Sequence, residues 1–287
     1  TADLTKIFAS DAIALEKNQL YLMVGAAMVL IGFAFKIASF PFHMWVPDVY
    51  QGAPTPVTLY LGSAPKIAAF GLAMRLLVDG MGGLVTHWQD MLVILAVLSM
   101  ALGNVVAIAQ TNIKRMLAYS TISHVGFIFL GLIAGTDEGY SAATFYAIVY
   151  ALTAAGGFGV VTMLSRNGLD AENIHDLKGL NDRSPWLAFM MMLILFSMAG
   201  VPPTVGFFAK LFVLDAVVSV DMVWLAVVAV YWLPAPPIKS VDVHPLILLA
   251  ASLWLLQSDL LQAWLSRLAR IHPRIKHRTK RIEKYLT

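Results

Sequence analysis

The 287 residues are 59% hydrophobic and only 13% charged, against about 25% charged in a soluble domain, so the chain belongs in a bilayer. It holds no cysteine, which excludes disulfides, thiolate-held iron–sulfur clusters and zinc–thiolate sites and leaves any redox chemistry to another chain. The net charge of +3 averages two unlike regions: eight Lys and Arg face Glu283 alone between 267 and 287, and the remainder carries 12 basic and 16 acidic residues.

In chain order, residues 1–18 read as an extramembrane lead-in. They start without Met and show no basic region leading into a short apolar core, so no signal peptide is visible and the chain reads as entered partway. Apolar runs follow at 20–42, 57–78, 91–109, 116–134, 141–164, 186–214 and 245–266, each near the roughly 20 residues that cross a hydrocarbon core. A shorter run at 222–233 meets Leu233-Pro234-Ala235-Pro236-Pro237, where proline removes donors and stops a helix. It is predicted to be re-entrant, tilted or incomplete.

Short loops set the orientation. Lys114 and Arg115 in 110–115 place that loop on the cytoplasmic side by the positive-inside bias, whereas 79–90 (Asp79, Asp90) and 135–140 (Asp137, Glu138) fall outside. Counting spans puts 43–56 and 165–185 inside as well. The basic tail follows an apolar run, which points to anionic lipid or the same bias and not to nucleic acid.

An ammonium at membrane depth costs about 2.5–3.5 kcal/mol on insertion scales and marks an ion or proton path by default. Lys36 precedes Pro41 in FAFKIASFPFHMW, Lys66 lies midway along 57–78, and Lys210 follows Gly200, Pro202 and Pro203 in SMAGVPPTVGFFAKL. Arg75, nearer a helix end, is placed to snorkel. For Lys36 a snorkelling role is the competing reading, although Pro41 argues against it. A proline break frees backbone carbonyls that only protein or water can satisfy, and paired breaks in two halves point to a transport site. The Lys36 and Lys210 segments therefore read as equivalent pieces of a repeated unit. His124, in the middle of 116–134 beside Ser120, Thr121 and Ser123, is either a hydrogen-bonded core residue or a link between lysines. No Asp or Glu falls inside a span, so a carboxylate partner for the lysines must come from elsewhere. His43 and His124 have no companion at ligand spacing, so no metal or haem site is expected, and Ala155-Gly156-Gly157 reads as close helix packing.

Three strings carry a resemblance: FKIASFPFHMWVPDVYQGAPTPVTLYLGSAPKIAAFGLAMRLL, GNVVAIAQTNIKRMLAYSTISHVGF and SMAGVPPTVGFFAKLFVL. Over residues 19–230 the chain resembles subunit N of bacterial NADH:quinone oxidoreductase, respiratory complex I, within an antiporter-like group that includes subunits of multi-protein cation/proton antiporters. The resemblance implies an all-α integral membrane bundle with two proline-broken helices in an inverted-repeat fold. It implies that Lys36 and Lys66 lie on the family's seventh and eighth helices, His124 on the tenth and Lys210 on the twelfth, joined by water into a proton relay. It also implies that NADH, FMN, iron–sulfur clusters and quinone sit in partner subunits, with no cofactor in this chain. The expected partners are the other antiporter-like and small membrane subunits of complex I and the lipid bilayer, and the expected location is the bacterial inner membrane.

Two departures accompany the resemblance. The family's first six helices, including the glutamate paired with the Lys36 equivalent, are missing. Residues 231–287, a last span and basic tail, diverge from the family pattern. A multi-protein cation/proton antiporter or a membrane-bound hydrogenase is the competing transport reading, and a purely structural truncated fragment is the competing reading of another class.

Overall fold

A computed structural model describes residues 12–165 and 171–232. The described residues form helices and turns with one isolated β-bridge, Asn112 to Asn173. The helices are α1 (Ala12–Ile37), α2 (Trp45–Gly52), α3 (Thr55–Gly62), α4 (Ala64–Ala73), α5 (Val85–Ile108), α6 (Ile113–Ala134), α7 (Asp137–Leu164), α8 (Pro185–Ala199), α9 (Val205–Ser219) and α10 (Val223–Tyr231), with a π-helical turn at Met74–Gly80 and short turns at Gly82–Leu84, Ile174–Leu177 and Leu180–Arg183.

The expected spans at 91–109, 116–134 and 141–164 are continuous helices of membrane-crossing length, α5, α6 and α7. The run at 186–214 divides into α8 and α9 at the Gly-Val-Pro-Pro-Thr segment. The run at 20–42 ends its helix at Ile37, before Pro41, and α1 already runs from Ala12. The run at 222–233 contains α10, nine residues or about 14 Å of helix, too short by itself to cross about 30 Å. The expected span 245–266 and the basic tail lie outside the described residues.

The run at 57–78 likewise falls in a helical stretch of membrane-crossing length, Thr55–Gly80, but an irregular one: α3 and α4 meet at Ser63 (φ −117, ψ −84), and the π turn follows. Pro65 is the cause. It has no N–H to offer the carbonyl of Leu61 and its ring crowds that carbonyl. The Tyr50 hydroxyl donates to Leu61 O instead, at 3.2 Å, so the vacated acceptor is satisfied.

α6 is the centre of the bundle. Its most apolar stretch is 89% buried, as a helix that is apolar on every side must be. Asn112 caps it, accepting from Arg115 N–H at 3.0 Å, and Gly135 closes it in the left-handed conformation. Thr136 then caps α7 through Gly139 N–H, with Asp137 and Glu138 in the first turn, where the helix dipole favours negative charge. So short a link makes α6 and α7 antiparallel neighbours.

The three loops assigned to one side of the membrane do meet at one end of the bundle. Lys114 Nζ pairs with Glu172 Oε1 at 3.0 Å and donates to Ala53 O at 3.1 Å, while Arg115 Nη1 bonds Asp48 at 2.6 Å and Gln51 at 3.2 Å. Backbone bonds Ile113 N to Glu172 O and Ile174 N to Thr111 O lock two of the loops together. Lys114, although it comes from a short polar loop, is only 1% exposed, because the two flanking loops fold over it. Glu172→Gln is expected to lower stability by about 1–2 kcal/mol, less than the 3–5 kcal/mol of a fully buried pair because the carboxylate is partly open to solvent. Thermal unfolding in detergent checks this, and an unchanged midpoint would count against it.

Candidate functional site

Two helices stop inside the bundle, and a buried lysine lies against each end. A helix terminus leaves its last carbonyls without intrahelical donors, so each break poses an accounting problem. At the first, α1 turns at Ala38 (φ 69). Ser39 N–H takes Ala34 O at 2.8 Å, Ala38 N–H takes Phe35 O at 3.2 Å, and Trp45 Nε1 also donates to Phe35 O, at 3.0 Å. Ile37 O receives Lys66 Nζ at 2.7 Å. Ser39 and Ser99 hydroxyls bond at 2.9 Å, and Ser99 Oγ accepts Phe40 N–H, which ties the broken segment to α5.

The second break repeats the solution. α8 turns at Gly200 (φ 82), where a left-handed conformation suits glycine. Its N–H and that of Val201 return to Phe196 O. Met198 O and Ala199 O both receive Lys210 Nζ, each at 2.9 Å. Gly206, at the start of α9, lets the chain pass against Ser197, whose hydroxyl accepts its N–H. Pro41 and Pro203 both follow cis peptide bonds.

Lys66 and Lys210 are thus placed alike, each at the carbonyl end of a half-helix that carries partial negative charge. They are 6% and 3% exposed. The two segments read from sequence as equivalent pieces do share this construction, although the lysine on the carbonyl end is Lys66 at the first break and Lys210 at the second. Lys36 lies on an exposed face of α1, within electrostatic reach of Lys66. The partner sought for these lysines among carboxylates is, for Lys66 and Lys210, backbone carbonyl.

Lys210 and His124 come together. They border a cavity with about 10 Å³ of space for water centres, shared with Tyr146, Tyr150 and Ser197, enough for about one water. His124 Nδ1 meets the Tyr146 hydroxyl at 2.8 Å, and its ring lies 5.0 Å from that of Tyr150, whose hydroxyl donates to Thr121 at 2.7 Å. The Lys210 ammonium lies 5.1 Å from the Phe127 ring centroid, and Phe127 stacks on Tyr146. Lys66 does not line this cavity. Tyr146 and Tyr150 escape notice in the sequence. Two tyrosines four apart on an apolar helix, hence on one face, are the signal that was there to be used.

Among the remaining polar groups, His43 is buried and stacked on Phe40 at 5.3 Å, and burial pushes its pKa below the ordinary histidine value. Arg75 pairs with Asp79 at an exposed position, where an ion pair contributes little. Among the described residues no group of three or more His, Cys, Asp or Glu could hold a metal ion.

Discontinuous helices whose carbonyl ends meet cations inside an apolar bundle, beside helices long and apolar enough to cross a membrane, define a multi-pass helical membrane protein. The family described as NADH:quinone oxidoreductase/Mrp antiporter, TM, matches residues 1–232, and the chain belongs to it. Subunit N of NADH-quinone oxidoreductase from Thioalkalivibrio sulfidiphilus is 68% identical over 209 residues, covering 73% of this chain and 44% of the relative. Its counterpart in Nitrosomonas europaea is 62% identical over 208 residues, covering 72% and 43%. The chain therefore spans less than half the length of these curated relatives. Among solved structures, respiratory complex I from Thermus thermophilus with bound aureothin contains a chain of TM-score 0.64 and 32% identity, with 73% of this chain and 46% of that one covered. The Mrp complex from Dietzia contains one of TM-score 0.68 and 26% identity, with 73% and 39% covered.

Proposed function

We propose that this chain is part of a proton-translocating membrane subunit of NADH:quinone oxidoreductase, in which Lys36, Lys66 and Lys210 are exchangeable charged sites and His124 is the group connecting them. The observation that carries the reading is Lys210, buried on the two carbonyls that end α8 and sharing a water-sized cavity with His124. A lysine held there by neutral carbonyls keeps no fixed counter-ion, so its charge responds to protons and to neighbouring charges. Lys66 repeats the arrangement at the end of α1, and Lys36, exposed beside it, awaits a carboxylate from another segment. In this reading NADH, FMN, iron–sulfur clusters and quinone belong to partner subunits, the neighbours are further antiporter-like and small membrane subunits, and the location is the bacterial cytoplasmic membrane.

Likeness to the Mrp complex chain supports a second reading, a subunit of a multi-protein cation/proton antiporter. Isolation of the chain from its native membranes separates the two. An assembly that oxidises NADH and reduces quinone is the expected result. An assembly with sodium-dependent proton exchange and no NADH oxidation would overturn it.

A further inference from the structure

His124 is 4% exposed, and its two ring nitrogens differ sharply. Nδ1 meets the Tyr146 hydroxyl at 2.8 Å, and Nε2 has no protein partner among the described residues. Among the described residues the Tyr146 hydroxyl has no hydrogen-bond partner besides this nitrogen, so its proton and the ring proton can be counted together. If Nδ1 carried the ring proton it would donate to the tyrosine oxygen. The buried tyrosine O–H would then lack an acceptor and the Nε2 lone pair would lack a donor. If Nε2 carries it, the tyrosine donates to Nδ1 and a single N–H is left over, at Nε2. A doubly protonated ring leaves both the tyrosine O–H and Nε2–H unmet and places a second cation beside the cavity that holds Lys210. The neutral imidazole has one donor and one acceptor nitrogen, and the bond at one sets the role of the other. Buried polar groups are rarely left unpaired, so the Nε2–H form is favoured over both alternatives.

We propose that Tyr146 is a positioning residue that fixes His124 as the neutral Nε2–H tautomer, making the histidine a hydrogen-bond donor to an occupant of the cavity it shares with Lys210. The chemical consequence is directional. With Nδ1 occupied by the tyrosine proton and Nε2 already protonated, the ring has no lone pair with which to take a proton from that cavity. His124 then connects by orienting water: the water accepts from Nε2–H and turns its own hydrogens elsewhere, with the Lys210 amine, once deprotonated, as an acceptor in reach of the same space. The role rests on the relay reading, whereas the tautomer itself does not. The supporting architecture is local. Tyr146 is held by parallel stacking on Phe127 at 6.1 Å, and Tyr150 packs on the imidazole while spending its own hydroxyl on Thr121.

The test is solid-state ¹⁵N NMR of the full chain in lipid vesicles with ¹⁵N-histidine, the His124 signals being those lost in His124→Gln. The expected wild-type pattern is an unprotonated, hydrogen-bonded Nδ1 and a protonated Nε2. Tyr146→Phe should lose the single pattern and show a second set of resonances from the other tautomer. Tyr150→Phe, which removes a hydroxyl from the same face, should leave the His124 signals in place. A wild-type His124 protonated at Nδ1, a Tyr146→Phe spectrum like the wild type, or equal scrambling by Tyr150→Phe would each overturn the proposal. Failure of the relay is a separate result: unchanged proton translocation in Lys210→Met would remove that reading and leave the tautomer assignment intact.

Discussion

Lys210→Met, made in the chain assembled in its native membrane complex, is expected to lower NADH-driven proton translocation by on the order of tenfold, which corresponds to about 1.4 kcal/mol. Two effects combine. The exchangeable charge disappears, and Met198 O and Ala199 O lose the donor that satisfies them. Hydrogen bonds from a charged donor contribute about 1.5–3 kcal/mol each, so the variant also loosens the end of α8. Lys210→Arg separates the two effects. A guanidinium keeps donors and charge but does not deprotonate in proteins, so thermal stability should return toward wild type while translocation stays low. Recovery of translocation with Arg would make Lys210 a structural cap only, and wild-type translocation with Met would end the relay assignment.

Gly206→Ala should be the most damaging small substitution in the second break. A Cβ at this position would overlap the backbone carbonyl of Ser197 and lie 3.0 Å from its hydroxyl. No side-chain rotation relieves a collision with backbone, so α9 must shift, and Lys210 shifts with it. Overpacking alone costs about 1–3 kcal/mol, and the Gly206 N–H to Ser197 Oγ bond at 3.2 Å is put at risk as well. The comparison is Gly71→Ala on α4, where nothing lies within 4 Å and alanine should be neutral or stabilising by about 0.5–1 kcal/mol. Unfolding midpoints in detergent check both. Equal midpoints for the two variants would show that α8 and α9 do not approach as closely as described.

The sequence exposes the breaks more readily than what repairs them. Gly200, Pro202 and Pro203 interrupt an apolar run in plain view, since proline and a left-handed glycine are local effects. Pro65 is equally visible, but its effect on 57–78 goes unread without Tyr50, whose hydroxyl supplies the donor that makes the kink tolerable. The partners of Lys66 and Lys210 are backbone carbonyls 29 and 11–12 residues away. Every residue has a carbonyl, so no residue type marks them, and a search for carboxylates overlooks them. Lys114 is hidden for a different reason: its place in a short polar loop says nothing of burial, which depends on Glu172 and Ala53 arriving from two other loops. His124 is conspicuous as a lone histidine in a span, whereas the tyrosine bound to it is not.

The two lysine-closed helices also tie chemistry to mechanics. An ammonium that seals a helix end loosens that seal when it gives up its proton, because a neutral amine keeps N–H donors but loses the charge that strengthens their bonds to the carbonyls. Amide hydrogen exchange at Gly200 and Val201 should quicken under conditions that discharge Lys210. In the relay reading, each half-helix is thereby a latch whose grip follows the charge of one side chain.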